Sequence, residues 1–111
     1  MGKKWNGGKW IRPEKRLAIY LRDEFHCVYC GRNLHKADPT EINLDHIKCR
    51  SHGGDNSERN LVTSCKKCNC SRGNTKIRDW ADEPTLRAIR RQTRRSLKKN
   101  LALAKSIIAG K

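Results

Sequence analysis

Two Cys-x-x-Cys pairs, Cys27/Cys30 and Cys65/Cys68, stand 34 residues apart in a chain of 111. Each pair can present two thiolates from one tight turn, and zinc takes four such ligands in a tetrahedron. Closing the cage would tie everything between residues 27 and 68 into one loop. A structural zinc site is worth on the order of 10 kcal/mol near neutral pH, comparable to the whole stability of a small domain. Four thiolates leave no open coordination position, so this zinc is expected to be structural. Cys49 and Cys70 remain as free thiols. Cys70 follows Cys68 by two residues and could compete as a ligand, although a helix there would turn its side chain away.

The chain needs such a staple. Only 35% of its residues are hydrophobic and its mean hydropathy is −0.93, whereas a chain this short buries a modest share of its surface. One domain is therefore expected. No apolar run approaches the roughly 20 residues that span a bilayer, so no membrane association is expected. The first ten residues carry charge without a following apolar stretch, unlike a secretory signal. A cytoplasmic setting follows, where cysteines stay reduced and paired motifs bind metal more often than they form disulfides. An even number of cysteines leaves a disulfide framework formally open.

Lys and Arg total 26 against 11 Asp and Glu, a net charge of +15. Such a field suits a polyanion, although a merely solvated surface carries the same charge. The basic residues run through the whole chain instead of lining one amphipathic segment, which favours nucleic acid over lipid.

Residues 1–12 read as a flexible basic arm in which Trp5 and Trp10 can stack on bases or pack on the domain. Pro13 suits a helix start, and Leu17, Ala18, Tyr20 and Leu21 recur at helical spacing to about Glu24. Residues 41–48 alternate like a strand, with Ile42, Leu44 and His46 on one side. Ser51–Asn56 is a loop signal built on Gly53-Gly54. Leu61–Thr63 can form a return strand, and a helix over 69–80 is weakened by Gly73 and Asn74. After a boundary at 82–85, Leu86, Ile89, Leu97, Leu101, Ala104 and Ile108 form an apolar stripe on one long basic helix. That stripe packs on the domain or pairs with a partner. The division is thus an arm (1–12), a core (13–82) and a basic C-terminal helix (83–111).

The loop closed by the cysteines carries Asp45-His46, then Asn60, with Asn69 directly after the last cysteine. Singly, each residue is common in turns. Together they set an imidazole beside a carboxylate and two carboxamides, a base with a hard-metal site. Cys27-x-x-Cys30, Leu44-Asp45-His46-Ile47, Gly53-Gly54-x-Asn56-x-x-x-Asn60-Leu61 and Cys65-x-x-Cys68-Asn69 occur in this order over roughly residues 17–75. In this the sequence resembles the HNH endonucleases, or ββα-metal nucleases.

The resemblance implies an α+β fold, a treble-clef-like ββα-metal hairpin–helix core stapled by the four-cysteine zinc site and flanked by N-terminal and basic C-terminal helices. It implies His46 as general base, Asn60 as support for the loop that holds it, and Asp45 with Asn69 as ligands of a catalytic divalent ion. Asn69 stands where many members have histidine, which makes this the HNN variant. Two oxygen ligands suit Mg²⁺ or Mn²⁺. Imidazole exchanges protons near neutral pH, so hydroxide could attack phosphorus in line with the leaving 3′ oxygen, giving 5′-phosphate and 3′-hydroxyl ends. Arg72, about one turn into the helix, is read as a phosphate contact or a plain surface arginine. Lys48, Arg50, Lys66, Lys67 and Lys76 would add diffuse phosphate attraction, and His52 would sit on the loop surface.

The expected activity is metal-dependent hydrolysis of double-stranded DNA, by nicking or by cutting both strands, with weak sequence preference. The competing readings are a non-catalytic zinc-dependent nucleic-acid-binding module and a DNA-packaging accessory protein. Small free-standing members occur in phage genomes beside packaging genes, so a terminase partner, a homodimer and a phage-encoded origin in a bacterial host all fall within what the resemblance implies.

Overall fold

The structure, a computed structural model, describes residues 11–110; the basic arm with Trp5 and Trp10 lies outside the described residues except for Ile11 and Arg12. Helix α1 spans Pro13–Arg22, with Pro at its first position and an extended Arg12 before it. It ends on two residues in the left-handed region, Glu24 at φ 54° and Phe25 at φ 56°. That reversal feeds the first cysteine turn toward the second strand, where the Val28 N–H donates to Thr63 O at 2.9 Å.

Two antiparallel strands follow, β1 (Ile42–His46) and β2 (Leu61–Cys65), in a register that pairs Leu44 with Thr63 and His46 with Leu61. Strand β2 is buried along its whole length and runs straight into α2 (Lys66–Arg72), whose N-cap is Cys65. The fold is therefore the α+β hairpin–helix arrangement that the sequence suggested. Two short apolar clusters hold it. Cys27, Tyr29, Leu34, Val62, Cys65 and Ile89 form one, and Ala18, Ile19, Leu61, Leu97 and Ala104 the other.

Two expectations need correcting. The helix over 69–80 is two pieces, α2 and the single turn α3 (Ile77–Trp80). Gly73 ends the first with φ 53° and ψ −126°, a conformation that L side chains rarely adopt. The long C-terminal helix is likewise two, α4 (Glu83–Thr93) and α5 (Lys98–Gly110). Thr93 turns its hydroxyl back to Ile89 O at 2.9 Å, and Ser96 Oγ accepts from the Lys98 N–H at 3.2 Å to start the next helix. The break splits the apolar stripe between clusters. Leu86 and Ile89 pack on the cysteine side, whereas Leu97, Leu101 and Ala104 reach α1, and Ile108 is exposed. No helix among the described residues is long and apolar enough to cross a membrane.

Candidate metal centre and active site

The four cysteine sulfurs lie within 4.8 Å of one another, and Cys30 Sγ is 3.8 Å from Cys65 Sγ. A regular tetrahedron with a zinc–sulfur bond of about 2.3 Å has edges of about 3.8 Å, so the donors fit that ion in type and spacing. Backbone N–H groups point at the sulfurs, from Cys30 to Cys27 at 3.5 Å and from Cys68 to Cys65 at 3.4 Å. Burial raises the Cys27 and Cys68 thiols above their ordinary range, with neighbouring thiols adding to it. At Cys65 burial is outweighed by the Cys68 N–H and the surrounding thiols, and its thiol is lowered. Four sulfurs crowded this closely become compatible as thiolates once a dication sits among them. Cys49 is buried and Cys70 exposed; neither belongs to the cluster.

The first cysteine turn also carries Tyr29, whose buried hydroxyl donates to Asp45 Oδ2 on the neighbouring strand. Burial, reinforced by the adjacent Asp45 charge, raises the Tyr29 hydroxyl well above its ordinary range, so it stays a donor. The cysteine cage thus fixes one end of the carboxylate. Arg72 fixes it from the other side, with Nη1 donating to the same Oδ2 at 2.8 Å. Its remaining donors go to Thr75 O at 2.9 Å, His46 O at 2.7 Å, Ile47 O at 2.5 Å and Cys49 Sγ at 3.7 Å.

A guanidinium has five N–H donors, and all five are taken up inside the protein. Arg72 is 2% exposed. The expectation of a phosphate contact, or of a plain surface arginine, is corrected accordingly: Arg72 staples α2 to the end of β1. It is the last residue of α2 and does not stand about one turn into a longer helix, and the sequence alone did not say which way that turn faces.

Asp45, His46 and Asn69 line one open pocket of about 420 Å³, together with Arg50, Ser51 and Asn74. Both hydrogen bonds to the Asp45 side chain fall on Oδ2, which leaves Oδ1 among the described residues for another ligand. Asn69 is half-buried. One carboxylate and one carboxamide oxygen on an open pocket fit a hard divalent ion, although the Arg72 charge on the same carboxylate weakens the attraction.

His46 is half-buried, and its Nε2 lies 2.7 Å from Asn56 Oδ1. An amide oxygen only accepts, so Nε2 is the donor in this bond. Asn56 is itself held by Lys15 of α1, whose Nζ donates to Asn56 O at 2.5 Å.

Asn60 closes the base of the loop. Its Oδ1 accepts from the Lys48 N–H at 2.8 Å, and its Nδ2 donates to Lys48 O at 3.1 Å and Asp55 O at 2.8 Å. Gly54 permits this closure, because a Cβ there would lie 1.7 Å from Lys48 O.

The other predicted contacts are scattered. Arg50 joins the Asp45 pocket, Lys48 and Lys76 line a neighbouring cavity with His52, and Lys66 and Lys67 are exposed on the first turn of α2. Sequence reasoning missed Tyr29 as a partner of Asp45, and Asn56 as a partner of His46. Asn56 carried a faint signal, since it falls within the Gly53-Gly54-x-Asn56 motif.

Residues 27–75 match the family model described as HNH endonuclease. The chain is 33% identical over 75 residues, 67% of its length, to the CRISPR-associated endonuclease Cas9 of Corynebacterium diphtheriae. It is 38% identical over 58 residues, 51% of its length, to the CRISPR-associated endonuclease Cas9 of Actinomyces naeslundii. It spans only 7% and 5% of the length of these two relatives. No solved structure matches it significantly.

Proposed function

With residues 27–75 forming an HNH endonuclease domain, we propose that the chain is a metal-dependent endonuclease that hydrolyses phosphodiester bonds in double-stranded DNA. The observation that carries this reading is the shared pocket: a histidine held through its Nε2 lines it beside a carboxylate that, among the described residues, keeps one oxygen unused. The net charge of +15 supports a polyanionic substrate. Paired Cys-x-x-Cys motifs gathered into one metal-type cluster support a cytoplasmic setting.

In this reading His46 Nδ1 takes the proton of the attacking water while Asn56 holds the ring by its Nε2–H. Fixing the ring before substrate arrives lowers the cost of reaching the reactive geometry. Asp45 Oδ1 and Asn69 would hold a divalent ion such as Mg²⁺ or Mn²⁺, and Tyr29 and Arg72 keep the carboxylate turned toward it. When bound, that ion supplies positive charge for a phosphate oxygen and for the leaving 3′ oxygen. Asn60 acts at a distance from the chemistry, by holding the loop that delivers Asn56. Zinc on Cys27, Cys30, Cys65 and Cys68 is structural, and Lys48, Arg50, Lys66, Lys67 and Lys76 attract the DNA backbone.

The test is plasmid cleavage by protein carrying its zinc, with Mg²⁺, Mn²⁺ or no added ion, and with His46→Ala alongside. Nicked or linear product that needs the added ion and disappears in the variant is the expected result. Wild type and variant that bind DNA equally and never cut would point instead to a non-catalytic binding module.

A further inference from the structure

A second cavity of about 320 Å³ abuts the Asp45 pocket and shares Cys49 with it. This volume falls at the small end of ligand-binding cavities, about 300–1,000 Å³. Ile47, the residue after His46, forms its wall together with Ile77 and Cys49, while Lys48, Lys76 and Arg78 stand around it. The three cations are exposed, and among the described residues none meets a carboxylate. Lys48 is folded over the loop, with its Nζ 3.9 Å from where a Cβ of Gly53 would lie. His52 also lines the cavity, and Arg72, the remaining guanidinium of the wall, has no donor left to offer.

A track for phosphates alone has no use for an isoleucine-lined wall, and a purely apolar ligand has no use for three free cations. The combination suits a ligand with an apolar ring at one end and phosphate at the other. We propose that this cavity receives one nucleotide of the cleaved strand, turned out of the stack beside the scissile phosphate. Its base or sugar lies against Ile47 and Ile77, and its phosphates meet Lys48, Lys76 and Arg78. The proposal rests on the nuclease reading and adds a substrate class to it. Extruding a nucleotide costs least where it is mismatched or unpaired, so the enzyme prefers distorted or single-stranded DNA to a regular duplex.

Two measurements test this. The first compares cleavage of a paired duplex with the same duplex carrying one mismatch next to the cut. Wild type is expected to cut the mismatched duplex about tenfold faster, and Ile77→Trp, which fills the cavity, to bring that ratio toward one. Lys76→Glu and Arg78→Glu, both at exposed positions, are expected to lower the ratio as well and stand in should the tryptophan disturb folding. A ratio near one in wild type, or one unmoved by all three variants, overturns the proposal.

The second follows the Ile47 and Ile77 methyl signals by NMR while thymidine 5′-monophosphate is added. Saturable shifts in the millimolar range are expected. Equal shifts with inorganic phosphate reduce the cavity to a backbone contact and overturn it too. If wild type cuts nothing under any ion, the nuclease reading fails, and the titration still reports whether a nucleotide binds.

Discussion

Asp23 and Asp45 are both buried, and each faces a buried arginine at 2.8 Å, yet the two pairs are built for different ends. Asp23 has no oxygen to spare. Its Oδ1 accepts from Arg22 Nε and Gln92 Nε2, and its Oδ2 accepts from Arg22 Nη2 and the Thr63 N–H. Arg22 in turn reaches Glu58 O at 3.0 Å and Leu61 O at 2.7 Å, so the pair ties α1 to β2 and α4. Asp45 receives Tyr29 and Arg72 on Oδ2 alone, and its side chain keeps 12% of its exposure on the pocket. A closed pair of this kind is structure. The open one, in the proposed reading, is held ready for a further ligand.

Asp45 is tied to the first cysteine turn through Tyr29, and Asp23 to Thr63 on the strand that ends at Cys65. The largest effect is therefore expected from removing the cage. Stripping the zinc with a chelator, or replacing Cys65 by Ser, is expected to cost on the order of 10 kcal/mol and to unfold the domain. Circular dichroism through a zinc titration checks this. Retained native structure in the metal-free protein would contradict the cage as the principal staple.

Asparagine at each aspartate then separates the two pairs. Asp23→Asn presents an NH₂ group to donors that need an acceptor, beside a buried guanidinium, and is expected to cost about 3–5 kcal/mol. Asp45→Asn can place its one oxygen under Tyr29 and Arg72 and turn its NH₂ to the pocket. It is expected to cost about 1–2 kcal/mol but to lower cleavage on the order of a hundredfold or more, because the ion loses its carboxylate. Urea melts and cleavage rates of the two variants give the comparison directly. Equal stability losses would erase the distinction between a closed pair and an open one.

A smaller effect is expected at Asn56. Asn56→Ala removes the acceptor that holds the His46 ring and is expected to slow cleavage about 10–100-fold while the thermal midpoint stays near that of wild type. Long-range ¹⁵N NMR on His46 reads the same change without any substrate. Wild type should show the proton on Nε2, and the variant a mixture of tautomers.

Which parts of this were legible in the sequence follows from how local each signal is. The cysteine cage needs only the residues of two tight turns and their spacing. The alternation over residues 42–46 and the loop glycines are local in the same way, and the hairpin–helix fold followed. The closed pair was not legible, since Arg22 and Asp23 at the end of a helix look like any solvated charges. Their partners Thr63 and Gln92 lie 40 and 69 residues beyond Asp23. Arg72 was misjudged for the same reason, because its acceptors on His46 and Ile47 become neighbours only when α2 folds back on β1. The break between α4 and α5 rests on one serine cap and one threonine back-bond, weak against an apolar stripe that runs on through both.

The smallest predicted effect closes the comparison from the structural side. Gln92 Nε2 donates to Asp23 Oδ1 at 2.9 Å and to Arg22 O at 3.2 Å, but the carboxylate keeps three other donors without it. Gln92→Ala is therefore expected to cost about 1 kcal/mol and to leave cleavage at the wild-type rate. Its amide acts only on the closed pair, across the strands from the pocket chemistry. A urea melt beside a cleavage assay checks both halves. Should the variant lose cleavage while its melt barely moves, the closed pair transmits strain to Asp45 through β2 and the separation between structure and site fails. Should both stay as expected, Asp23 and its partners can be altered to tune stability without touching the chemistry.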